Sequence, residues 1–279
     1  MLIFDRIEPL QNFLKDMGHK TVGFVPTMGA LHKGHLSLIE QSKKQCDVTV
    51  CSIFVNPIQF NKKEDLEKYP KNLARDIELL KQVNCDVLFC PSVEEMYPQE
   101  INKHYEFGDL EKVMEGKHRP GHFNGVAIVI ERFFEIIKPD YAFFGEKDFQ
   151  QLVVVKTLVK QLGLSLKIVG CATVREANGL AMSSRNERLS EQQKAAAAQI
   201  SKMLSYISHH KKDHTVSELK EYFKTNIAKN AMLSTEYFEI ADGNTLKPIQ
   251  NWKESDYCIA FCAVNVDKVR LIDNMTIIN

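Results

Sequence analysis

The chain has 279 residues, a length that favours two domains or one large domain with an appendage. Hydrophobic residues make up 44% of the chain and charged residues 26%, values that exclude disordered and fibrous proteins. Because 36 basic residues balance 36 acidic ones, we expect no large nucleic-acid surface, although a local basic pocket for a small anion is compatible with this balance.

The first 16 residues do not resemble a secretion signal, because Asp5 and Glu8 interrupt the region that would have to be apolar. No stretch of the sequence approaches the length of a membrane span. We therefore expect a cytoplasmic protein without a membrane partner.

The seven cysteines are an odd number and show no C-x-x-C spacing, so neither a metal site nor a redox pair is favoured. Several lie in apolar runs such as residues 50–54, which is typical of thiols packed in a core. We predict reduced core residues at Cys46, Cys51, Cys85, Cys90, Cys171, Cys258 and Cys262.

Short β-branched runs alternate with amphipathic stretches over the first two thirds of the chain. The runs predict strands at residues 21–26, 47–55, 86–90, 141–145 and 165–171. The stretches predict helices at residues 36–46, 70–83, 124–138 and 150–162. Because this alternation indicates βαβ units, we predict an α/β domain over residues 1–177, with a doubly wound, Rossmann-like parallel sheet.

The pattern changes beyond residue 178. A capping Ser190 precedes a long predicted helix, and a second helix is predicted at residues 216–228. Strands are predicted at residues 236–241, 257–266 and 269–273. We predict a smaller α+β C-terminal lid domain over residues 178–279.

Ligands of a doubly wound fold bind beyond the carboxyl ends of its strands, so the loops after Val25, Val55, Phe144 and Cys171 should meet at one crevice. The first of these loops leads directly into a predicted helix, whose unsatisfied N–H groups form a ready anion site.

Two imidazoles stand at this helix start. His32 and His35 are three residues apart and should project together toward the anion, where they can donate hydrogen bonds and exchange a proton near neutral pH. Gly29 suits a tight turn, and Gly34 lets a ligand approach the backbone closely.

Competing phosphate and metal motifs fail at this turn. Gly29 and Gly34 have P-loop spacing, but His35 and Leu36 follow them instead of Lys and Ser or Thr. No G-x-G-x-x-G follows a predicted strand, and a zinc site at the two histidines lacks a third ligand nearby. A Walker-type NTPase, a dinucleotide oxidoreductase and a zinc protein are therefore disfavoured.

Further polar groups occupy the other loops. Lys147 in the GEKD segment offers charge to a phosphate, Asp148 can accept from a sugar hydroxyl, and the amides of Gln150 and Gln151 follow. Residues 182–185 add two hydroxyls and a guanidinium that can close over a triphosphate. On composition alone, the first segment would be a surface turn and the second a capping or linker serine pair. Mixed polar and apolar segments at residues 54–60 and 119–123 suit a small-molecule pocket.

Taken together, PTMGALHKGHLSLI, FVNPIQF, EGKHRPGHFNGV, FGEKDFQQL, GLAMSSRN and RLIDN resemble the pantothenate synthetase family in order and spacing. HKGH alone resembles the wider nucleotidyltransferase superfamily and class I aminoacyl-tRNA synthetases, in which MSSR would correspond to a mobile ATP-binding loop. The family condenses pantoate with β-alanine and converts ATP to AMP and pyrophosphate. The resemblance also implies Mg²⁺ held largely by phosphate oxygens and water, and a homodimer.

Site residues are implied by the same resemblance. The catalytic set would be His35, as proton donor, with His32, Lys147 and Arg185. Pantoate would contact Gln59 and Gln151, with Gln59 also near β-alanine and with Asn56, Phe60 and Arg119 lining the site. ATP would contact Met28, Gly29, Ala30, Leu31, His32, Lys33, Gly34, His35, Gly145, Glu146, Lys147, Asp148, Val174, Met182, Ser183, Ser184 and Arg185. No protein ligand of a metal is assigned, and Lys33, Asn178 and Arg188 depart from residues common in the family.

Two alternatives stay open at this stage. The chain could be another H-x-G-H nucleotidyltransferase, or a nucleotide-binding protein without catalytic activity. Intact His32, His35, Lys147 and Arg185 argue against the second alternative. A tRNA synthetase is disfavoured because the C-terminal part is short and carries little net charge.

Overall fold

The computed structural model describes residues 1–60, 66–67 and 69–278. Internal contacts divide the chain into two compact units. The first comprises Met1–Gly108, Arg119–Glu146 and Gln151–Ala172, and the second comprises Asp109–His118, Lys147–Gln150 and Thr173–Asn279. Two short segments from the first two thirds of the sequence thus belong to the second unit. The predicted division after residue 177 stays a prediction.

The first unit is built on a parallel sheet. Within the described residues, the strands of this sheet are β1 (Leu2–Phe4), β2 (Val22–Thr27), β3 (Val48–Ile53), β4 (Val87–Phe89), β5 (Tyr141–Gly145) and β6 (Lys167–Cys171). Their order across the sheet is β1-β4-β3-β2-β5-β6, and every neighbouring pair is parallel. The predicted doubly wound α/β fold is confirmed.

Helices connect these strands. In the described ranges they include α1 (Ile7–Asp16), α2 (Lys33–Gln45), α3 (Leu73–Gln82), α4 (Val93–Met96), α5 (Met114–His118), α6 (His122–Ile137) and α7 (Phe149–Gln161). The four predicted helices correspond to α2, α3, α6 and α7, with shifted ends. Helix α3 begins three residues beyond Pro70, because the Asn72 side chain accepts a hydrogen bond from the N–H of Arg75 and caps the helix there.

Burial explains why the inner elements of the first unit were easy to predict. Phe24, Phe89 and Phe143 on β2, β4 and β5 are fully buried. Helix α6 buries all but three of its 16 residues, and its Phe133 ring centroid lies 5.2 Å from that of Phe24. Strands buried on both faces read as continuous apolar runs, which is how they were predicted.

The first strand and helix were missed. Strand β1 has only three residues and lies at the sheet edge, with Leu2 and Ile3 about half exposed. A three-residue edge strand shows neither a clear alternation nor a long apolar run, so its sequence carries little signal. The short helices α4 and α5 were missed as well, since each is close to a single turn.

The sheet has one topological switch point. From β2 the chain continues to β3 and β4 on one side of the sheet, and later to β5 and β6 on the other. Ligands of open α/β sheets bind where the strand order reverses, beyond the carboxyl ends of the strands. In this sheet that position lies between the ends of β2 and β5.

The second unit has an antiparallel sheet. Strands β7 (Leu233–Asp242), β8 (Cys258–Val266) and β9 (Val269–Ile278) pair in that order, and helices α8 (Glu191–His210) and α9 (Val216–Ala228) contact them. Each helix begins with a capping box, formed by Ser190 with Gln193 and by Thr215 with Glu218. The predicted α+β character of this region is confirmed.

Residues 109–118 are held in the second unit by charge. The guanidinium of Arg270 on β9 contacts both carboxylate oxygens of Glu115, at 2.7 and 2.9 Å. The hydroxyl of Tyr237 donates to the same carboxylate at 2.9 Å. Glu115 is 7% exposed, so these contacts compensate a carboxylate that is largely removed from water.

The cysteines pack as predicted, except at one position. All seven are free thiols and six are buried, whereas Cys90 is partly exposed. Burial raises the pKa of Cys85 to about 11, as it does for Cys171, where the nearby Glu146 carboxylate adds to the effect.

In the part of the chain that the structure describes, no helix is both long and apolar enough to cross a membrane.

We predict that Gly125→Ala destabilises the protein. A Cβ at this position of α6 would lie 2.7 Å from Gln59 Cα and 2.8 Å from the carbonyl oxygen of Ile58, so a backbone segment would have to move. We expect a loss of about 1–3 kcal/mol in the free energy of unfolding, measured by urea denaturation. Gly145→Ala is the matched control, since its Cβ would meet no atom within 4 Å. Equal stability of the two variants would contradict the prediction.

Candidate active site

The loop after β2 makes a left-handed turn before it enters α2. Gly29 has a φ of +79° and Ala30 a φ of +50°. For alanine this backbone conformation costs about 1–2 kcal/mol, so neighbouring contacts must hold it. The turn is buried, since Gly29, Ala30 and Leu31 all lie inside the first unit.

The carboxylate of Asp76, on α3, holds this turn. Its Oδ2 accepts a hydrogen bond from the N–H of Ala30 at 3.0 Å, and its Oδ1 accepts from the N–H of Leu31 at 2.8 Å. Asp76 is only 1% exposed. Asp76 was not predicted as a functional residue, because nothing in the amphipathic pattern of α3 indicates a partner 46 residues earlier in the chain.

His32 and His35 occupy the start of α2. His32 is the N-cap residue, and its Nδ1 accepts from the N–H of Gly34 at 3.1 Å. The Nδ1 of His35 accepts from the N–H of His32 at 3.4 Å, and the two ring centroids are 4.0 Å apart. Because each Nδ1 accepts a hydrogen bond, the proton of each neutral ring is assigned to Nε2. The helix begins at Lys33, three residues earlier than predicted.

The loop after β3 brings polar groups to the same end of the sheet. The Asn56 Nδ2 donates to the carbonyl oxygen of Gly125 at 3.0 Å and to Gln59 Oε1 at 3.4 Å. The Gln59 Nε2 contacts Met28 Sδ, from the loop after β2, at 2.7 Å. Asn56 and Gln59 are 1% and 9% exposed, so both amides have fixed orientations. The structure thus joins Met28, Asn56 and Gln59.

Tyr97 orients the Asn56 amide. Its hydroxyl donates to Asn56 Oδ1 at 3.1 Å. Burial raises the pKa of Tyr97 well above its usual range, so the hydroxyl stays a donor throughout the neutral and mildly alkaline range. Tyr97 was not predicted as a site residue.

Arg119 connects to Gln59 through the side chain of His122. An Arg119 Nη1 lies 2.9 Å from His122 Nε2, and His122 Nδ1 lies 3.0 Å from the carbonyl oxygen of Gln59. The ring of Phe60 makes an edge contact with Tyr69, at a centroid distance of 5.9 Å. Among the described residues, no hydrogen bond joins Gln151 to Asn56, Gln59 or Arg119. His122 lies in the segment predicted to line a pocket, but it was not predicted as a site residue by itself.

The GEKD segment lies partly in each unit. Gly145 ends β5 and Glu146 follows it in the first unit, whereas Lys147 and Asp148 belong to the second. Lys147 Nζ lies 3.7 Å from Asp148 Oδ1, and the Lys147 side chain is 15% exposed. The Asn274 Nδ2 on β9 donates to the carbonyl oxygen of Lys147 at 2.8 Å. The terminal RLIDN motif therefore contacts a predicted site residue.

The Gln150 amide is occupied by backbone partners of the second unit. Its Oε1 accepts from the N–H of Glu115 at 3.0 Å, and its Nε2 donates to the carbonyl oxygens of Leu110 and Val113 at 2.7 and 3.1 Å. This amide is 4% exposed, and its hydrogen bonds hold a turn of the second unit.

The MSSR segment forms a short, tied turn in the second unit. The Oγ of Ser183 accepts from the N–H of Arg185 at 3.3 Å, and the N–H of Met182 donates to the carbonyl oxygen of Val174 at 3.0 Å. A cavity of about 10 Å³ is lined by both Lys147 and Ser183, so these two predicted site residues lie together.

An ion pair supports the start of this region. Both guanidinium nitrogens Nη1 and Nη2 of Arg175 donate to the Asp273 carboxylate, at 2.7 and 3.0 Å. The Asp273 side chain is 4% exposed, and its Oδ1 also accepts from the N–H of Asn274. Asp273 thus links the Arg175 segment to the residue that contacts Lys147.

These features define a class of protein. The first unit is a doubly wound α/β structure with two imidazoles at a helix start and buried amides near the switch point of its sheet. A model of the family "Pantoate-beta-alanine ligase" matches residues 2–276. The chain belongs to this family of ligases.

Known relatives agree with this membership. The chain is 45% identical over 277 residues to the pantothenate synthetase of Porphyromonas gingivalis, with 99% of each chain covered. The crystal structure of pantothenate synthetase from Thermus thermophilus has a TM-score of 0.94 and 38% identity, with 100% of both chains covered. The pantoate-beta-alanine ligase of Francisella tularensis, complexed with beta-gamma ATP and beta-alanine, has a TM-score of 0.84 and 35% identity, with 99% and 97% covered.

We predict that Asn274→Ala loosens the segment around Lys147. The substitution removes the buried N–H donor from the Lys147 carbonyl oxygen, and such a loss costs about 1–3 kcal/mol. We expect a lower free energy of unfolding and faster amide hydrogen exchange in peptides that cover residues 146–150. The exposed Asn244→Ala is the matched control. Unchanged exchange in both variants would show that the Asn274 contact does not hold this segment.

Proposed function

We propose that this chain condenses pantoate with β-alanine to pantothenate and converts ATP to AMP and pyrophosphate. The observation that carries the proposal is the family match over residues 2–276, which includes every loop described above. The complex of the Francisella relative with beta-gamma ATP and beta-alanine supports both cosubstrates.

ATP is proposed to bind the phosphate-binding groups described above. The Nε2–H donors of His32 and His35 bind phosphate oxygens, whereas the N–H groups of His32, Gly34 and His35, predicted to be unsatisfied, already donate within the turn. Lys147 and Arg185 supply positive charge, and the hydroxyls of Ser183 and Ser184 donate hydrogen bonds. The full proposed ATP-binding set is Met28, Gly29, Ala30, Leu31, His32, Lys33, Gly34, His35, Gly145, Glu146, Lys147, Asp148, Val174, Met182, Ser183, Ser184 and Arg185.

The first chemical step forms an acyl-adenylate. The pantoate carboxylate attacks the α-phosphorus of ATP, and the bond from that phosphorus to the bridging oxygen of pyrophosphate breaks. Negative charge develops on the leaving pyrophosphate, where His32, His35 and the cationic side chains stabilise it. His35 is the proposed proton donor. The reaction requires no covalent enzyme intermediate.

The second step forms the amide. The uncharged amine of β-alanine attacks the acyl carbon of the adenylate, the bond from that carbon to the phosphate oxygen breaks, AMP leaves, and the amine nitrogen releases one proton. The protein has to align the two reactants and exclude water. We propose that Gln59 and Gln151 hold pantoate, that Gln59 also contacts β-alanine, and that Asn56, Phe60 and Arg119 line this site. The fixed amides of Asn56 and Gln59 support this assignment, because a fixed amide positions a polar substrate at little entropic cost.

Mg²⁺ is proposed to accompany the triphosphate. Among the described residues, no group of three or more His, Cys, Asp or Glu side chains is placed to hold a metal ion. Mg²⁺ commonly keeps several waters and binds substrate phosphates, so the ATP oxygens would be its main ligands. When bound, it would neutralise phosphate charge.

The assembly and location are also proposals. We propose a cytoplasmic homodimer, on the sequence-based expectation for the location and on the resemblance to the family for the dimer. Light scattering with gel filtration tests the dimer, and cell fractionation tests the location.

One assay tests the reaction. Purified protein is incubated with ATP, Mg²⁺, pantoate and β-alanine, each substrate and the metal are omitted in turn, and AMP and pantothenate are measured. We expect both products only from the complete mixture. AMP release that is indifferent to pantoate would contradict the proposal and favour another nucleotidyltransferase, and no AMP at all would favour a protein that only binds nucleotides.

We predict that His35→Ala folds but loses adenylate formation. Removing one preorganised donor from a charge-stabilising site costs about 10²- to 10³-fold in turnover. The measurement is AMP release at saturating substrates, with circular dichroism to check the fold. His19→Ala, at an exposed position outside the site, is the matched control and should keep wild-type turnover. Wild-type turnover of His35→Ala would refute the role given to this imidazole.

A further inference from the structure

The turn between β2 and α2 has a conformation that its own sequence does not favour. Gly29 and Ala30 are consecutive residues with positive φ, and alanine rarely adopts such values. The turn determines where α2 begins and therefore where His32 and His35 stand. An isolated peptide of this sequence would not hold this conformation, so another part of the protein has to stabilise it.

Asp76 makes the contacts that stabilise the turn. One carboxylate oxygen accepts from the N–H of Ala30, and the other accepts from the N–H of the next residue, Leu31. Hydrogen bonds to an ionised carboxylate are stronger than those between neutral groups. Gly29 fits the same arrangement, because a Cβ there would lie 3.0 Å from Asp76 Oδ2.

The surroundings keep this carboxylate in place. Asp76 is 1% exposed, and Leu31 and Leu80 belong to one buried core cluster of the first unit. Leu80 lies one helical turn beyond Asp76 on α3, so core packing fixes the helix that carries the carboxylate. Both oxygens accept backbone N–H groups and almost no surface faces solvent, which suits a positioning role and not a contact with substrate.

We propose that Asp76 is a positioning residue for the histidine pair. It fixes the left-handed turn, which places His32 at the N-cap and His35 in the first turn of α2, with their Nδ1 atoms facing backbone N–H groups. This inference rests on the proposed function for its catalytic meaning, because the histidines are the proposed phosphate donors. The placement of the rings can be measured without any substrate.

The main test is Asp76→Asn. Asparagine has the same shape, but one of its two polar atoms is an NH₂ donor, so one of the two turn hydrogen bonds becomes a contact between two donors. We expect AMP formation to fall about 100-fold, the effect of a displacement of about 1 Å at a catalytic group. In ¹⁵N-histidine NMR spectra of the full wild-type chain without substrate, we expect the ring nitrogens of His32 and His35 to show the Nε2–H tautomer. In the spectra of Asp76→Asn, we expect this tautomer pattern to be lost.

Asp86→Asn is the matched control. Asp86 also accepts a backbone hydrogen bond, from Thr49 at 2.8 Å, and pairs with the Lys43 ammonium at 2.8 Å. It immediately precedes β4 and so lies at the amino end of the sheet, opposite the proposed site. This variant should lose stability yet keep its histidine spectrum and its turnover, which separates positioning from a general loss of stability.

A second variant tests the turn itself. Adding Ala30→Gly to Asp76→Asn supplies a residue that adopts positive φ without strain. Two losses of turnover are compared: that of Asp76→Asn relative to wild type, and that of the double variant relative to Ala30→Gly alone. We expect the second loss to be at least about tenfold smaller than the first. A role of Asp76 in core stability alone predicts no such recovery.

The outcomes separate the inference from the proposed function. An unchanged histidine spectrum in Asp76→Asn, or equal losses of turnover in Asp76→Asn and Asp86→Asn, would overturn the positioning role. If the wild-type chain forms no AMP but the histidine spectrum still depends on Asp76, the proposed reaction fails and the positioning of the rings stands.

Discussion

The parallel alignment of six strands is the constraint on which the first unit depends. It places every carboxyl end at one edge of the sheet, so loops separated by many residues in sequence deliver their side chains to the same region. The loop after β2 supplies the helix start, and the loop after β3 supplies Asn56 and Gln59. The contact between Gln59 and Met28 shows that these two loops meet directly. Polar side chains at this edge can contact a ligand. The apolar interior of the sheet could not contain such polar groups.

Much of this arrangement could be predicted, because buried parallel strands have a simple sequence signal. The strand at residues 141–145 and the helix at residues 216–228 have the predicted ends, since each combines a clear apolar pattern with a sharp boundary. The glycines and histidines of the first turn were recognisable because their chemistry is local. The N-terminal strand and helix were not predicted, since edge position and short length remove the periodic signal.

The contacts that orient the site could not be predicted in the same way. Asp76, Tyr97 and Asn274 act on partners 41 to 127 residues away in the chain, through hydrogen bonds to single atoms. Their types are ordinary for a helix, a loop and a strand, so hydrophobic periodicity does not distinguish them. Gln150 illustrates the converse: it has a suggestive chemistry and sequence position, yet its amide is occupied by backbone partners of its own unit.

The discontinuous second unit has a consequence for folding during synthesis. Residues 109–118 leave the ribosome long before Arg270, which lies 155 residues beyond its partner Glu115. Until β9 is made, this carboxylate has no guanidinium beside it and stays stable only in water, so the segment cannot adopt its buried position. The nascent chain must therefore keep this segment solvated while strands β1 to β6 are completed. A C-terminal fragment that begins at residue 173 would lack the Glu115 carboxylate, so its Arg270 would keep Glu236 but lose one of its two acidic partners.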